Sequence, residues 1–132
     1  MEVLEFGCTS RKKIVLIHGF QIPVAIWDEY IRHYRDDFHI LVPVMPEHNP
    51  DHPEDFVSFS RTAEEFESYY LSRYGREVYT ICAMSMGGVL AATIWQNERL
   101  EIQKLILDAS PLVPVGPFAS KTDAVFLPAR NA

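Results

Sequence analysis

The stretch that decides the fold is Val78-Tyr79-Thr80-Ile81-Cys82-Ala83-Met84-Ser85-Met86-Gly87-Gly88-Val89-Leu90-Ala91-Ala92. An apolar run rich in β-branched and aromatic residues reaches Met84, then meets Ser85, two glycines and a small-residue helical segment. A strand that turns into a helix through a serine is a nucleophile elbow: the bend strains the serine and pushes its hydroxyl past the end of the sheet. Gly87 and Gly88 let the new helix pack on the strand it has just left. Its first N–H groups, Met86 foremost, point where a negative oxygen would develop. The usual pattern is Gly-x-Ser-x-Gly. Here Ala83 replaces the first glycine, and one methyl fits because smallness rather than positive φ is needed there. The plainer reading of the same residues is a strand–turn–helix with a serine N-cap.

Working outward, Lys13 to Ile17 is a continuous apolar run, as expected of a strand covered on both faces, and it ends in His18-Gly19-Phe20. Val3 to Phe6 is a short candidate strand, and Gly7 to Arg11 a turn. Pro23 opens a helix reaching about Arg35, with Val24, Trp27, Ile31 and Tyr34 on one face. Phe38 to Met45 is a further strand-like run, broken by Pro43 near its end. Pro46 to Glu54 reads as a loop. Ser58 to Tyr74 is the clearest helix: Phe59, Ala63, Phe66, Tyr70 and Tyr74 share a face, Thr62 with Glu65 suggests a capping box, and Gly75 stops it. Ile102 to Leu107 is the last convincing strand, ending in Asp108-Ala109-Ser110-Pro111. This alternation is the rhythm of a parallel sheet with helices on both faces, a three-layer αβα sandwich. Such sheets place chemistry at the carboxyl ends of their strands, where His18, Ser85 and Asp108 all fall.

The chain of 132 residues is 48% hydrophobic with a net charge of -6. That predicts a single domain over residues 1–132, with its core in 12–111 and a proline-containing tail over 112–132. The acidic balance supplies no basic stripe, so nucleic acid and an anionic membrane are expected to be poor partners. No run approaches the ~18 apolar residues of a membrane span, and Met1-Glu2-Val3 lacks the regions of a signal peptide. Cys8 and Cys82 make no disulfide framework. A cytoplasmic location is the expectation.

With these residues in hand, the sequence resembles the α/β-hydrolase family over about residues 12 to 114. Lys13 to Phe20 looks like the strand carrying the family's His-Gly oxyanion element. Val42 to His48 is similar to the next strand and its Pro-Gly-His loop, with Glu47 where glycine is usual. Trp27 matches a common aromatic after the oxyanion loop, Ala83 to Gly88 the elbow, and Leu105 to Pro111 the strand that follows. The resemblance implies a serine hydrolase of carboxylesterase or lipase type, acting on carboxylic esters without a cofactor or metal. Ser85 would attack the carbonyl carbon, and the N–H groups of Phe20 and Met86 would hold the oxyanion. Gly19 and Gly87 would permit close approach, and His18 would brace the loop rather than transfer protons. Asp108 stands where some relatives, such as the haloalkane dehalogenases, keep their triad acid; its plainer role is to cap the turn before Pro111.

The pattern also departs from the family. Its catalytic histidine lies C-terminal to this last strand, whereas His18, His33, His39, His48 and His52 all precede Ser85. Loss of the histidine in a comparable triad costs on the order of 10⁶ in rate. His48 is the candidate substitute base, and a non-catalytic or assembly-dependent binding module is the alternative. His48 and His52 among Glu47, Asp51, Glu54 and Asp55 match no standard metal spacing. Met45, Met84 and Met86 are candidates for lining an acyl pocket; the plainer reading packs Met84 and Met86 beside the elbow, with Met86 partly facing the site. The strand from Ile102 to Leu107 would expose an apolar edge, so a homodimer is expected, formed across that edge or by a swapped tail.

Overall fold

The computed structural model describes residues 1–19, 22–45 and 56–110. Among the described residues five strands form one sheet: β1 (Val3–Phe6), β2 (Lys13–Ile17), β3 (His39–Pro43), β4 (Glu77–Met84) and β5 (Glu101–Asp108). Their order is β1-β3-β2-β4-β5. β3, β2, β4 and β5 run parallel, and β1 pairs antiparallel with β3. Among the described residues three α-helices cover the sheet: α1 (Asp28–Tyr34), α2 (Phe59–Tyr74) and α3 (Gly87–Asn97).

The continuous apolar strands are explained by two separate cores. Successive side chains of a strand leave opposite faces. In β2, Val15 and Ile17 join Phe66 and Tyr70 of α2 and Leu90 and Ile94 of α3. Leu16, between them, packs with Trp27 and with Ile31 of α1 on the other face. β4 divides in the same way, Ile81 and Ala83 to one core and Cys82 and Met84 to the other. This is the αβα sandwich the sequence predicts. Among the described residues no helix is long and apolar enough to cross a membrane.

Local details differ from the sequence reading. Pro23 is extended and precedes a 3-10 turn over Val24–Trp27, and only then does α1 begin. Tyr34, the last residue of α1, stays 39% exposed. Its ring meets His33 and Phe38 edge-on instead of entering the core. The expected Thr62–Glu65 capping box does not form. The cap sits one turn earlier, where the Ser58 hydroxyl accepts the Arg61 N–H at 3.0 Å. Thr62 instead donates to the Ser58 carbonyl, and Glu65 pairs with Arg61. Gly75 ends α2 at φ 78, a left-handed value that glycine reaches without a Cβ clash.

The amino-terminal edge of the sheet is tied by a polar knot. Glu5 of β1 accepts hydrogen bonds from the hydroxyls of Tyr69 and Tyr74 on α2. It also lies 2.7 Å from Nε2 of His39, the first residue of β3. Partial burial pulls the Glu5 carboxyl upward, but the three donors outweigh it and hold the group below its usual value. Burial pushes the fully buried His39 below an ordinary histidine, against the attraction of Glu5. Elsewhere, buried Glu67 takes hydrogen bonds from Asn97 at 2.6 Å and Arg99 at 3.1 Å, joining α2 to the end of α3. Burial nevertheless raises its carboxyl.

These shifts set a pH dependence. A depressed histidine or carboxyl means that the unfolded chain takes up its proton first as pH falls. His39 therefore withdraws stability as pH drops below about 6.5, and Glu5 does so below about 4.5. Glu67 acts oppositely, since its ionised form carries the burial penalty above about pH 4.5. We expect the knot to dominate, so that the melting temperature falls from pH 7 to pH 4. Glu5→Gln should cost about 1–3 kcal/mol at pH 7 and flatten the lower part of that profile. A melting temperature that rises toward acid would show that Glu67 outweighs the knot.

Candidate active site at the carboxyl ends of the strands

β4 stops at Met84, and Ser85 follows with φ 51. For a residue with a Cβ this left-handed backbone costs about 1–2 kcal/mol. Three hydrogen bonds hold it there. The Ser85 N–H donates to the Asp108 carbonyl at 2.9 Å, one step past the last β4–β5 pair, Met84 with Asp108. The Gly88 N–H returns to the Ser85 carbonyl at 3.0 Å, and the Val89 N–H to the Met86 carbonyl at 3.1 Å. Met86 is the N-cap of α3, with helical φ -62 and ψ -21. Its amide belongs to the opening of the helix, where N–H groups lack intrahelical acceptors and the dipole favours an anion.

Two glycines bring β2 and its loop against this turn. A Cβ on Gly87 would lie 2.4 Å from the His18 carbonyl oxygen and 2.9 Å from that of Ile17. The first turn of α3 thus rests directly on the backbone at the end of β2. A Cβ on Gly19 would lie 2.9 Å from both the Ser85 Cβ and the Ile22 Cδ1. The loop after β2 therefore runs beside the serine.

His18 fixes that loop. Its ring is fully buried. The Met45 backbone N–H donates to its Nε2 at 3.1 Å, so Nε2 carries the lone pair. Nδ1 is then the protonated nitrogen, and it donates to the carbonyls of Ile22 at 2.8 Å and Gly19 at 2.9 Å. The ring joins the loop after β2 to the end of β3, with both nitrogens engaged by backbone groups.

Asp108 ends β5 with its side chain exposed. The Cys82 thiol is pushed up first by its burial and secondarily by the Asp108 charge, which places that carboxylate near β4. The contact Asp108 makes with the elbow runs through its backbone carbonyl, a role that residue type alone does not reveal. The Ser85 hydroxyl, half-buried, has no hydrogen-bond partner among the described residues. His33 lies against Tyr34, and His39 is held in the Glu5 knot at the opposite edge. Met45 is wholly buried in the larger core, while Met84 packs into the α1-side core. Phe20, His48 and His52 lie outside the described residues. Among the described residues no group of three or more His, Cys, Asp or Glu could hold a metal ion.

No protein-family profile matches the sequence, and no curated protein does. Solved structures do resemble it. One is a protein assigned to the alpha/beta hydrolase family from Desulfitobacterium hafniense, with TM-score 0.81 and 23% identity, over 91% of this chain and 48% of that one. Another is a thermophilic esterase from Thermogutta terrifontis, with TM-score 0.75 and 19% identity, over 88% of this chain and 42% of that one. A third is Est816, an N-acyl homoserine lactone degrading enzyme, with TM-score 0.71 and 17% identity, over 83% of this chain and 41% of that one. The chain therefore has the α/β-hydrolase fold. It spans less than half the length of these structures and corresponds to the N-terminal portion of the fold.

The close approaches make a graded prediction. Gly87→Ala would drive a methyl into two rigid backbone carbonyls, so it should lose at least the about 1–3 kcal/mol typical of overpacking. Gly19→Ala meets the movable end of Ile22 as well as the Ser85 Cβ, and should cost less. Urea unfolding of the two variants checks the order; an equal, small loss in both would contradict the packing described.

Proposed function

We propose that this chain carries the nucleophile and oxyanion half of a serine hydrolase of carboxylesterase or lipase type. The observation supporting this most is Ser85: a non-glycine residue in left-handed backbone, between a parallel strand and a helix N-terminus, with the Gly19 loop against its Cβ. In this reading the Ser85 Oγ attacks the carbonyl carbon of a carboxylic ester and gives up its proton to a base. The N–H groups of Met86 and Phe20 stabilise the tetrahedral oxyanion, each donor worth about 3–4 kcal/mol in comparable enzymes. Collapse expels the alcohol, which takes the proton, and water then hydrolyses the acyl-serine by the reverse traffic. His18 braces the oxyanion loop. Asp108 is the candidate acid and His48 the candidate substitute base.

The second reading, a non-catalytic or assembly-dependent binding module, is favoured by one observation. Among the described residues no imidazole reaches the Ser85 hydroxyl. A fluorophosphonate probe and short-chain p-nitrophenyl esters separate the two. The hydrolase reading expects labelling of Ser85 that is abolished by Ser85→Ala, and a borrowed base expects a further loss with His48→Ala. Labelling no faster than at a surface serine would favour the binding module. Activity that returns only when a C-terminal half is supplied would make the base an assembly property.

The same reading takes residues 1–132 as one α/β-hydrolase-like domain, cytoplasmic in location, that pairs with a second copy. β5 ends the strand order, its outer edge pairs with no described strand, and Ile106 is 50% exposed. Sedimentation should give a dimer that Ile106→Lys weakens; a monomer at high concentration would refute the pairing.

A further inference from the structure

β4 and β5 end alike. Their last paired residues are Met84 and Asp108, and each is followed by a non-glycine residue in left-handed backbone: Ser85 at φ 51 and Ala109 at φ 48. The two ends are joined by the bond from the Ser85 N–H to the Asp108 carbonyl. The reversal at Ala109 carries Ser110 back over the opening of α3. A Cβ on Gly88 would lie 2.0 Å from the Ser110 Oγ and 2.4 Å from its Cβ. The next atom, Leu107 Cδ2, would stand at 3.5 Å, an ordinary contact. Among the described residues, Ser110 occupies the space that a side chain at 88 would need. Its hydroxyl is 3.5 Å from the Asp108 carbonyl, too long to fix the turn by hydrogen bonding. The seat is steric. Backbone strain of the kind found at Ala109 persists only where surrounding contacts over-determine it. Here those contacts are the ladder bond on one side and the Gly88 seat on the other.

We infer that the Asp108–Ser110 turn is a buttress for the elbow, with Ser110 a positioning residue acting through Gly88. Asp108 sets the height of Ser85 through its carbonyl. Ser110, pressed on Gly88, sets the pitch of the first turn of α3. Together they aim the Ser85 hydroxyl and the Met86 N–H, and Ser110 itself touches no substrate. The mechanical part stands on the contacts alone; the part concerning reactivity rests on Ser85 being a nucleophile.

The two parts are tested separately. Ser110→Gly should raise native-state amide exchange at Ser85 and Gly88 by about tenfold or more, leaving the Val15 and Ile81 amides unchanged. Fluorophosphonate labelling of Ser85 should fall about tenfold, because small misplacements of a reacting group are costly. Gly88→Ala alone should be severely impaired or unfolded, and Gly88→Ala with Ser110→Gly should recover, a non-additive pair. Exchange at Ser85 and Gly88 that stays at the wild-type rate overturns the buttress, as does a double variant no better than Gly88→Ala. Faster exchange with unchanged labelling of a reactive wild type overturns the positioning role. Faster exchange in a protein whose wild type never labels, even with a C-terminal half supplied, confirms the buttress and removes the nucleophile reading.

Discussion

The carboxyl edge of this sheet depends on backbone approaching backbone. Gly87 sits so close to the carbonyls of Ile17 and His18 that no side chain fits between α3 and the end of β2. This contact, more than any side-chain bond, makes the bend at Ser85 possible. With the helix pressed onto the neighbouring strand, only an abrupt reversal connects β4 to α3, and the left-handed backbone of Ser85 is that reversal. The strain is met by backbone hydrogen bonds already required by the sheet and the helix start. No extra polar machinery is needed to present the hydroxyl, since the geometry follows from two strands, one helix and glycines where they touch.

The opposite edge is held differently. There α2, β1 and β3 meet through ionisable groups, Glu5 receiving donors from Tyr69, Tyr74 and His39. A carboxylate with three donors is well compensated for its partial burial, whereas Glu67, more deeply buried, is compensated less fully. One end of the sheet is thus fixed by shape and the other by charge-assisted hydrogen bonds. That division would suit the proposed hydrolase, whose reacting end must keep its amides and hydroxyl uncommitted.

Sequence revealed what depends on local pattern. The unbroken apolar run of β2 marked a strand buried on both faces, and Ala83 to Gly88 marked the turn from strand to helix, both where the structure has them. Side-chain periodicity also gave the buried face of α2, though not its cap. Ser58 and Thr62 are both able to cap, and choosing between them requires knowing where the chain leaves its extended conformation. Contacts between residues far apart in the chain left no local trace. Glu5 reaches residues 34, 64 and 69 positions away, and no spacing rule links them. Asp108 drew notice for its carboxylate, yet its contact with the elbow is a carbonyl that any residue would supply. Phe20 and His48 fall outside the described residues.

The histidines show why residue type alone misleads about chemistry here. His18 stands beside the elbow in sequence logic and in space, and a histidine near a serine invites the role of base. Its hydrogen bonds decide otherwise. Nε2 accepts a backbone amide and Nδ1 donates to two carbonyls, so both nitrogens are spent on holding the loop. To take a proton from Ser85, the ring would have to break the link between the β2 loop and Met45, the same link that keeps Gly19 against the Ser85 Cβ. Catalysis by His18 would therefore dismantle the site it served. On the proposed reading, a base for Ser85 would be an imidazole not already consumed by the scaffold, and His39, locked to Glu5 at the far edge, fails that condition as well.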